Sequence, residues 1–189
     1  RAKIAERFRL GKIRKAKNGH IIMSEAPYGL TLVRRQGKPG DAAFVETHLV
    51  RNEKEIPVLR MLFEWLAYEG LTIRKIIKRL QQLGIPPRKS LRGVWNTSTL
   101  STLFKNKIYI GESHYGASRA IIPAKPLKNE VYKKYKKTSR KIRPESEWIV
   151  IPVPAIFESD ADKDMFTRAQ IQLKRNFDLS DRNKKNEYL

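Results

Sequence analysis

The sequence predicts an α+β fold, a helix-turn-helix-like three-helix bundle with a small antiparallel sheet. Between residues 52 and 107, three apolar stripes at helical spacing are each bounded by a glycine or a capping residue. β-rich runs precede this bundle at 30–35 and 44–50 and follow it at 109–115 and 148–153. We expect a basic helix to enter the domain and a C-terminal helix to follow it.

Composition limits the classes of function. The chain has 189 residues, is 40% apolar and carries a net charge of +21, so a core is expected and nucleic acid is the favoured partner, ahead of an anionic membrane surface. No apolar run is long enough to span a bilayer and no signal peptide is visible, which favours the cytoplasm. Without cysteine there is no thiolate zinc site, and three scattered histidines give little support to a hydrolase. Because the first residue is not Met, we expect a fragment boundary there.

The segment 1–18 has the pattern of a basic helix, with eight Lys or Arg against one acid, Glu6. Its apolar line is thin, so we expect it to pack on a partner or to lie along DNA phosphates; a frayed basic tail is the alternative. Asn18-Gly19 predicts the helix end. The following arm, 19–27, is expected to be extended, and a hairpin is expected around the Gly- and Pro-containing turn at 36–41.

The first bundle helix is predicted over 54–69. Its start is ambiguous, since Asn52 and Glu55 resemble a capping box that places Pro57 one position too deep. Gly70 ends it.

The second bundle helix is predicted to begin after its cap, Thr72, and to end at Gly84. Its polar side carries four cations, Arg74, Lys75, Lys78 and Arg79. A basic loop then leads to Trp95, which is predicted to be a core anchor rather than a base-stacking residue.

The third bundle helix is predicted over 97–105 and has one apolar and one hydroxyl-bearing side. A buried stripe is predicted for Leu100, Leu103 and Phe104, and short hydroxyl side chains fall on the other side. The surrounding segment 71–107 holds nine Lys or Arg and no Asp or Glu. Such a face can approach a phosphate-lined groove closely, which favours a DNA-reading helix over a merely solvated one.

The distal half is predicted to pair the strands 109–115 and 148–153. Between them, 119–143 has ten Lys or Arg and one acid, and we expect a mobile loop that touches phosphates, in which Tyr132 and Tyr135 could stack on bases. A helix near 160–175 begins with several acids, which suit helix capping better than a calcium site. The tail 177–189 is expected to be loose.

Motifs spaced along nearly the whole chain resemble one family. They are Lys17-Asn18-Gly19, Ala26-Pro27-Tyr28-Gly29, Asn52-Glu53-Lys54-Glu55, Phe63, Gly70-Leu71-Thr72-Ile73, Ile76, Leu80, Gly84-Ile85-Pro86, Trp95, Thr97, Thr99-Leu100, Leu103, Asn106, Tyr109, Gly111, Tyr115, Trp148, the run 152–156, Ala169-Gln170 and Leu173. In this order they are similar to the recombinase domain of large serine recombinases, the integrases and transposases of phages and mobile elements.

The resemblance implies a modular parent protein. A catalytic domain with a serine nucleophile precedes such a domain, and a zinc ribbon follows it. Residues 1–18 then correspond to the end of the interdomain connecting helix, 19–27 to a linker arm, and 28–189 to the DNA-binding domain, with a bundle at 52–107, a distal part at 108–176 and a tail at 177–189.

The same resemblance implies function. We expect this chain to bind one half of a recombination attachment site in double-stranded DNA, to catalyse nothing, and to need no cofactor, the zinc being held downstream in the parent. The fragment is expected to be a monomer, and the parent a dimer on each site and a tetramer in synapsis, in the bacterial nucleoid. The open alternatives are an RNA-binding or ribosome-associated basic protein and a helix-turn-helix transcription regulator.

The candidate site residues fall into two groups. The base-reading candidates are Thr97, Ser98, Ser101, Thr102 and Lys105. The phosphate or minor-groove candidates are Arg14, Lys15, Lys17, Asn18, His20, Arg74, Lys75, Arg88, Lys89, Arg92 and Lys107. No metal ligand is expected.

Overall fold

A computed structural model describes residues 2–36, 45–90, 92–122 and 139–180. The predicted α+β class is confirmed. In chain order the elements are α1 (Ala2–Lys17), β1 (Leu30–Gln36), β2 (Val45–Arg51), α2 (Ile56–Ala67), α3 (Ile73–Gln82), α4 (Thr97–Phe104), β3 (Glu112–Tyr115), β4 (Ser118–Ile121), β5 (Ser139–Ile142), β6 (Ile149–Pro152) and α5 (Asp160–Asp178). Two 3-10 turns lie at Lys107–Ile110 and Glu145–Glu147.

Contacts divide the chain into two units, each made of two segments. The first combines Arg1–Met23 with Glu112–Pro152, and the second combines Ser24–Gly111 with Val153–Leu189. Each unit is therefore discontinuous in sequence.

In the first unit, α1 packs against β6 and buries Ala16. The helix ends where predicted, since Gly19 adopts a left-handed conformation with φ of 80°. The predicted pairing of the distal strands is confirmed: β3 and β6 are antiparallel, with Ser113 opposite Ile151. Burial of Ile151 anchors this pair.

In the stretch 119–143 the structure differs from the predicted loop. A loop is predicted there, whereas the structure places strands at both of its ends, β4 and β5, which form an antiparallel ribbon. The strands are only four residues long, so alternation over their length is too brief to give a clear signal. Tyr132 and Tyr135, for which stacking is predicted, lie outside the described residues, as does the turn of the first hairpin.

The strand predicted over 109–115 is shorter in the structure and begins only at Glu112. The preceding residues form a 3-10 turn because the Asn106 side chain accepts a hydrogen bond from the Ile108 amide at 3.1 Å. Gly111, with φ of 94°, ends the turn. Ile108 and Tyr109 are both buried, and two adjacent buried residues imitate the start of a strand.

The core of the second unit surrounds Phe63 on α2. Its ring lies 4.8 Å from that of Phe157 and 5.2 Å from that of Phe104, and both contacts are edge-on. The rings of Phe166 and Tyr109 lie 5.7 Å and 5.9 Å from it. All five side chains are buried, so α2, α4, α5 and the 3-10 turn at 107–110 share one aromatic centre.

The capping box considered for α2 is absent. The Asn52 carbonyl accepts a bond from the Glu55 amide at 2.9 Å, and the Glu55 carboxylate turns instead to the Gly29 amide at 2.7 Å. The helix therefore begins at Ile56, which places Pro57 in its first turn, where a missing N–H costs nothing.

The other helix boundaries follow their caps. Thr72 caps α3 by accepting from the Lys75 amide, as predicted, and Gly84 follows the end of the helix with φ of 65°. On α5, Ser159 is the cap, and the Asp162 carboxylate pairs with Arg60 at 2.5 Å, which lowers the pKa of that carboxyl. The expected loose tail at 177–189 is helical as far as Asp178, and 181–189 lie outside the described residues.

Gly29 should tolerate substitution far less well than Gly19. Both have positive φ, but an added Cβ at Gly29 would lie 2.9 Å from Leu59 Cδ2, whereas the surroundings of Gly19 are open. We expect Gly29→Ala to lower the free energy of unfolding by about 3 kcal/mol, from backbone strain plus overpacking. Gly19→Ala should lower it by about 1 kcal/mol. Urea denaturation of the two variants measures the difference, and equal losses would contradict the close packing at Gly29.

Candidate nucleic-acid interface

The helix α4 is fixed at its start by a side-chain cap. Asn96 Oδ1 accepts the Thr99 amide at 2.7 Å and the Ser98 hydroxyl at 2.8 Å. This satisfies an amide that the first turn leaves without a helical partner. Leu100, Leu103 and Phe104 are 0%, 6% and 0% exposed, so the predicted apolar stripe is confirmed.

The opposite side of α4 faces outward. The exposed predicted base-reading residues are Thr97, Ser98, Thr102 and Lys105, and Ser101 is partly exposed. None of these side chains is acidic. Four of them are short, and that of Lys105 is long and flexible. The helix therefore offers a hydroxyl-bearing surface that another molecule can approach closely.

Trp95 anchors the segment that leads into α4. It is 3% exposed, and its Nε1 donates to the Ile85 carbonyl at 3.0 Å, which confirms the predicted core role. The ring of Tyr28 meets it edge-on, with centroids 5.1 Å apart. This contact also ties the arm to the start of α4.

Within the second unit, α4 forms one wall of a groove of about 470 Å³. The arm supplies a second wall and the loop after α3 a third. Its lining residues are Glu25, Ala26, Pro27, Tyr28, Pro87, Arg88, Lys89, Trp95, Ser98, Thr99, Thr102, Leu103, Asn106 and Tyr109. The groove thus brings together four predicted site residues, Ser98, Thr102, Arg88 and Lys89.

Tyr109 lies in this groove with its side chain fully buried. Burial raises the pKa of the phenol well above its ordinary value, so the group stays neutral. Among the described residues its hydroxyl has no hydrogen-bond partner.

Arg88, one of the predicted phosphate contacts, has an intrachain role in this structure. Its guanidinium binds the Glu55 carboxylate through two nitrogens, with Nε to Oε1 at 2.8 Å. It also donates to the carbonyls of Ala26 at 3.0 Å and Leu30 at 2.9 Å. Glu55 in turn accepts the Gly29 amide, so this latch, Arg88 with Glu55, joins the arm, the start of α2 and the loop before α4. Hydrogen bonding to Glu55 raises the pKa of the guanidinium.

The other predicted phosphate contacts in this unit lie on α3, on the loop before α4 and just after α4. Arg74 and Lys75 are exposed on α3, Arg92 is exposed on the loop, and Lys107 is partly exposed. Lys89 is also largely exposed, although its Nζ lies 2.9 Å from a carboxylate oxygen of Glu25.

The predicted minor-groove contacts between residues 14 and 20 lie in the first unit, in the last turn of α1 and just after it. Arg14, Lys15, Lys17 and Asn18 are exposed there, and His20 is partly exposed. The structure therefore groups them with the distal strands and not with the α4 groove.

Sequence reasoning missed three polar residues of the groove or its helix cap. Thr99 and Asn106 line the groove, and Asn96 caps α4. A local signal existed for Asn96, because Asn is a favoured residue directly before a helix. Thr99 and Asn106 are among the motif residues, and Asn106 also caps a 3-10 turn, but their place in the groove depends on where the arm passes.

Two kinds of feature are absent from the described residues. They contain no helix long and apolar enough to cross a membrane. Within the same residues, no group of three or more His, Cys, Asp or Glu could hold a metal ion.

A bundle of short helices together with two-stranded antiparallel sheets defines an α+β domain. More particularly, the chain belongs to the Recombinase family, whose model matches residues 53–176. The resemblance to the recombinase domain of large serine recombinases is confirmed.

Two similar proteins give the extent of the match. A Bacillus subtilis (strain 168) protein described as "Putative DNA recombinase" is 27% identical over 167 residues, which cover 85% of this chain and 30% of that protein. A solved chain from the "Crystal Structure of a LSR-DNA Complex" (LSR, large serine recombinase) has the same fold, with a TM-score of 0.54 and 16% identity over 96% of this chain and 43% of that one. The present chain thus spans less than half the length of either protein.

Proposed function

We propose that this chain binds double-stranded DNA with α4 in the major groove. The observation that carries the proposal is the division of α4 into a buried apolar side and an exposed hydroxyl side, in a segment with nine cations and no acid. An α-helix fits the major groove, and hydroxyl and Lys side chains are suited to its base edges. The solved relative is a complex with DNA, which supports the same partner here.

The hydrogen bonds within α4 give one base contact a preferred direction. Ser98 donates its proton to Asn96, so its oxygen faces outward as an acceptor. We infer that it favours the N6 amino group of adenine or the N4 amino group of cytosine, the donors of the major groove. Lys105, a donor only, favours guanine O6 or N7.

Phosphate contacts hold the helix in register. We assign them to Arg74, Lys75, Lys89, Arg92 and Lys107, and Arg88 is left out because its donors serve the latch. The candidates at the end of α1 and just after it follow the backbone or the minor groove; they are Arg14, Lys15, Lys17, Asn18 and His20. Such contacts position the domain but carry no sequence information of their own.

In the whole protein, we infer that this domain recognises a half-site for site-specific recombination, with a serine nucleophile and a zinc ribbon elsewhere in the polypeptide. Family membership supports this role. The domain itself would bind as a monomer and without a cofactor, and the whole protein would act as a dimer on each site and a tetramer in synapsis, in the bacterial nucleoid. DNA binding that persists in a metal chelator is the corresponding expectation.

Selection from a randomised duplex library tests the proposal, because such a library presents every candidate target sequence at once. The bound fraction should converge on one motif, and that duplex should outcompete both its scrambled version and a structured RNA of equal length. A selection that yields no motif, or equal competition by RNA, would favour a nonspecific or RNA-binding protein instead.

Arg88 and Lys75 should behave in opposite ways. Arg88→Ala removes the latch and leaves Glu55 without its partner, so the free energy of unfolding should fall by about 2 kcal/mol. The salt dependence of DNA binding should stay unchanged, because we assign the guanidinium of Arg88 to the latch and not to a phosphate. Lys75→Ala should leave stability unchanged and reduce the slope of log K against log salt by about 1. Binding titrations at several salt concentrations, paired with denaturation, separate the two; a reduced slope in Arg88→Ala with full stability would return that residue to the phosphate contacts.

A further inference from the structure

The β4–β5 ribbon has a charge arrangement that is unfavourable in the free protein. Arg119 on β4 lies directly opposite Lys141 on β5, and residues directly opposite in an antiparallel pair have their side chains on the same face. Like charges in this position destabilise the pair. Among the described residues, neither has an acidic partner within ion-pair distance.

The ribbon also lacks cover from the rest of the described chain. Every residue of β5 is exposed, as are Arg119 and Ala120 at the centre of β4. Exposure reaches 75% at Ile142 and 84% at Ile122 just beyond β4. A two-stranded ribbon with so little burial is marginal alone in water, so a partner is expected to stabilise it.

A third cation strengthens the case for an anionic partner. Arg140 is exposed on the other face of β5, where its Nε donates to the Ser118 hydroxyl at 3.0 Å. The ribbon thus offers positive charge on both faces and, in its eight described residues, no acid.

We propose that the β4–β5 ribbon is a second DNA-binding element, in which Arg119 and Lys141 together contact the phosphate backbone of double-stranded DNA. This rests on the proposed function and adds a second contact to it. A phosphate between the two cations removes their mutual repulsion and makes charge-assisted hydrogen bonds with both. Since phosphates carry no sequence information directly, the ribbon adds affinity without selectivity.

The test neutralises both cations in the full chain, as Arg119→Gln with Lys141→Gln. The slope of log K against log salt should fall by about 2, equally for the selected duplex and its scrambled version. The ratio of the two affinities should stay unchanged. The midpoint of thermal unfolding should not fall, because the substitution relieves a repulsion.

A matched control removes the same charge elsewhere, as Lys163→Gln with Lys174→Gln on the exposed side of α5. This variant should keep the wild-type slope. Equal slopes in the two double variants, or a wild-type slope in the ribbon variant, would overturn the ribbon proposal.

A second measurement does not depend on charge. A benzophenone amino acid at Ser139, on the same face as Lys141, should crosslink to the duplex, and one at exposed Ser146 should not. Crosslinking at neither position would overturn the ribbon contact. Loss of the ribbon contact leaves the α4 proposal intact if wild type still separates selected from scrambled duplex, whereas failure of that separation overturns the proposed function itself.

Discussion

Phe63→Ala is expected to lower the free energy of unfolding by about 3 to 5 kcal/mol, the usual cost of emptying a buried aromatic site. The side chain is fully buried, and four other aromatic rings lie within 5.9 Å of its centroid. These rings come from other parts of the unit, so none can fill the space alone. A loss of this size is a large share of the roughly 5 to 15 kcal/mol that stabilise a typical domain. Urea denaturation followed by circular dichroism measures it.

Phe8→Ala is the matched control. Phe8 is 69% exposed on α1, so the same chemical change should alter the free energy of unfolding by no more than about 0.5 kcal/mol. Comparable losses in the two variants would contradict the aromatic centre assigned to the second unit.

Ser98→Glu is expected to abolish most sequence discrimination without weakening the fold. At the second position of α4 an acid interacts favourably with the helix N-terminus, so stability should hold or rise slightly. In the major groove, the longer carboxylate side chain cannot occupy the place of the short Ser98 hydroxyl beside the base edge, and its negative charge is repelled by the phosphates. We expect affinity for the selected duplex to fall by about 10- to 100-fold, equivalent to one lost base contact plus repulsion. Fluorescence anisotropy with selected and scrambled duplexes measures both affinities.

Thr167→Glu controls for the added negative charge. Thr167 is exposed on α5, and the substitution changes net charge by the same amount. It should weaken binding to both duplexes slightly and leave their ratio at the wild-type value. If Ser98→Glu and Thr167→Glu behave alike, binding is nonspecific and α4 does not read bases.

The helices of the bundle could be predicted because their ends and their apolar stripes depend on residues that are close together in the sequence. Thr72 caps the start of α3 and Gly84 follows its end. Both could be predicted because capping and left-handed conformations depend on only one or two residues. The burial of Leu100, Leu103 and Phe104 follows from helical spacing alone. The exposed side of α4 could therefore be predicted with it.

Features that depend on contacts between residues far apart in the sequence could not be predicted. Arg88 sits among other cations in a basic loop, and its partner Glu55 is 33 positions away, so no local pattern distinguishes it from a phosphate contact. The same holds for the groove, whose walls come from the arm, the loop and α4. The β4–β5 ribbon joins strands that are distant in sequence, and each strand is too short to show its period.

Methylation interference on the selected duplex tests the central claim most directly, since it reports which groove the protein reads. Methyl groups on guanine N7 obstruct the major groove, whereas those on adenine N3 obstruct the minor groove. If α4 lies in the major groove, N7 methylation within the motif should block wild-type binding, and adenine N3 methylation should interfere only where residues 14–20 contact the minor groove. Binding that tolerates N7 methylation at every guanine of the motif would contradict the account.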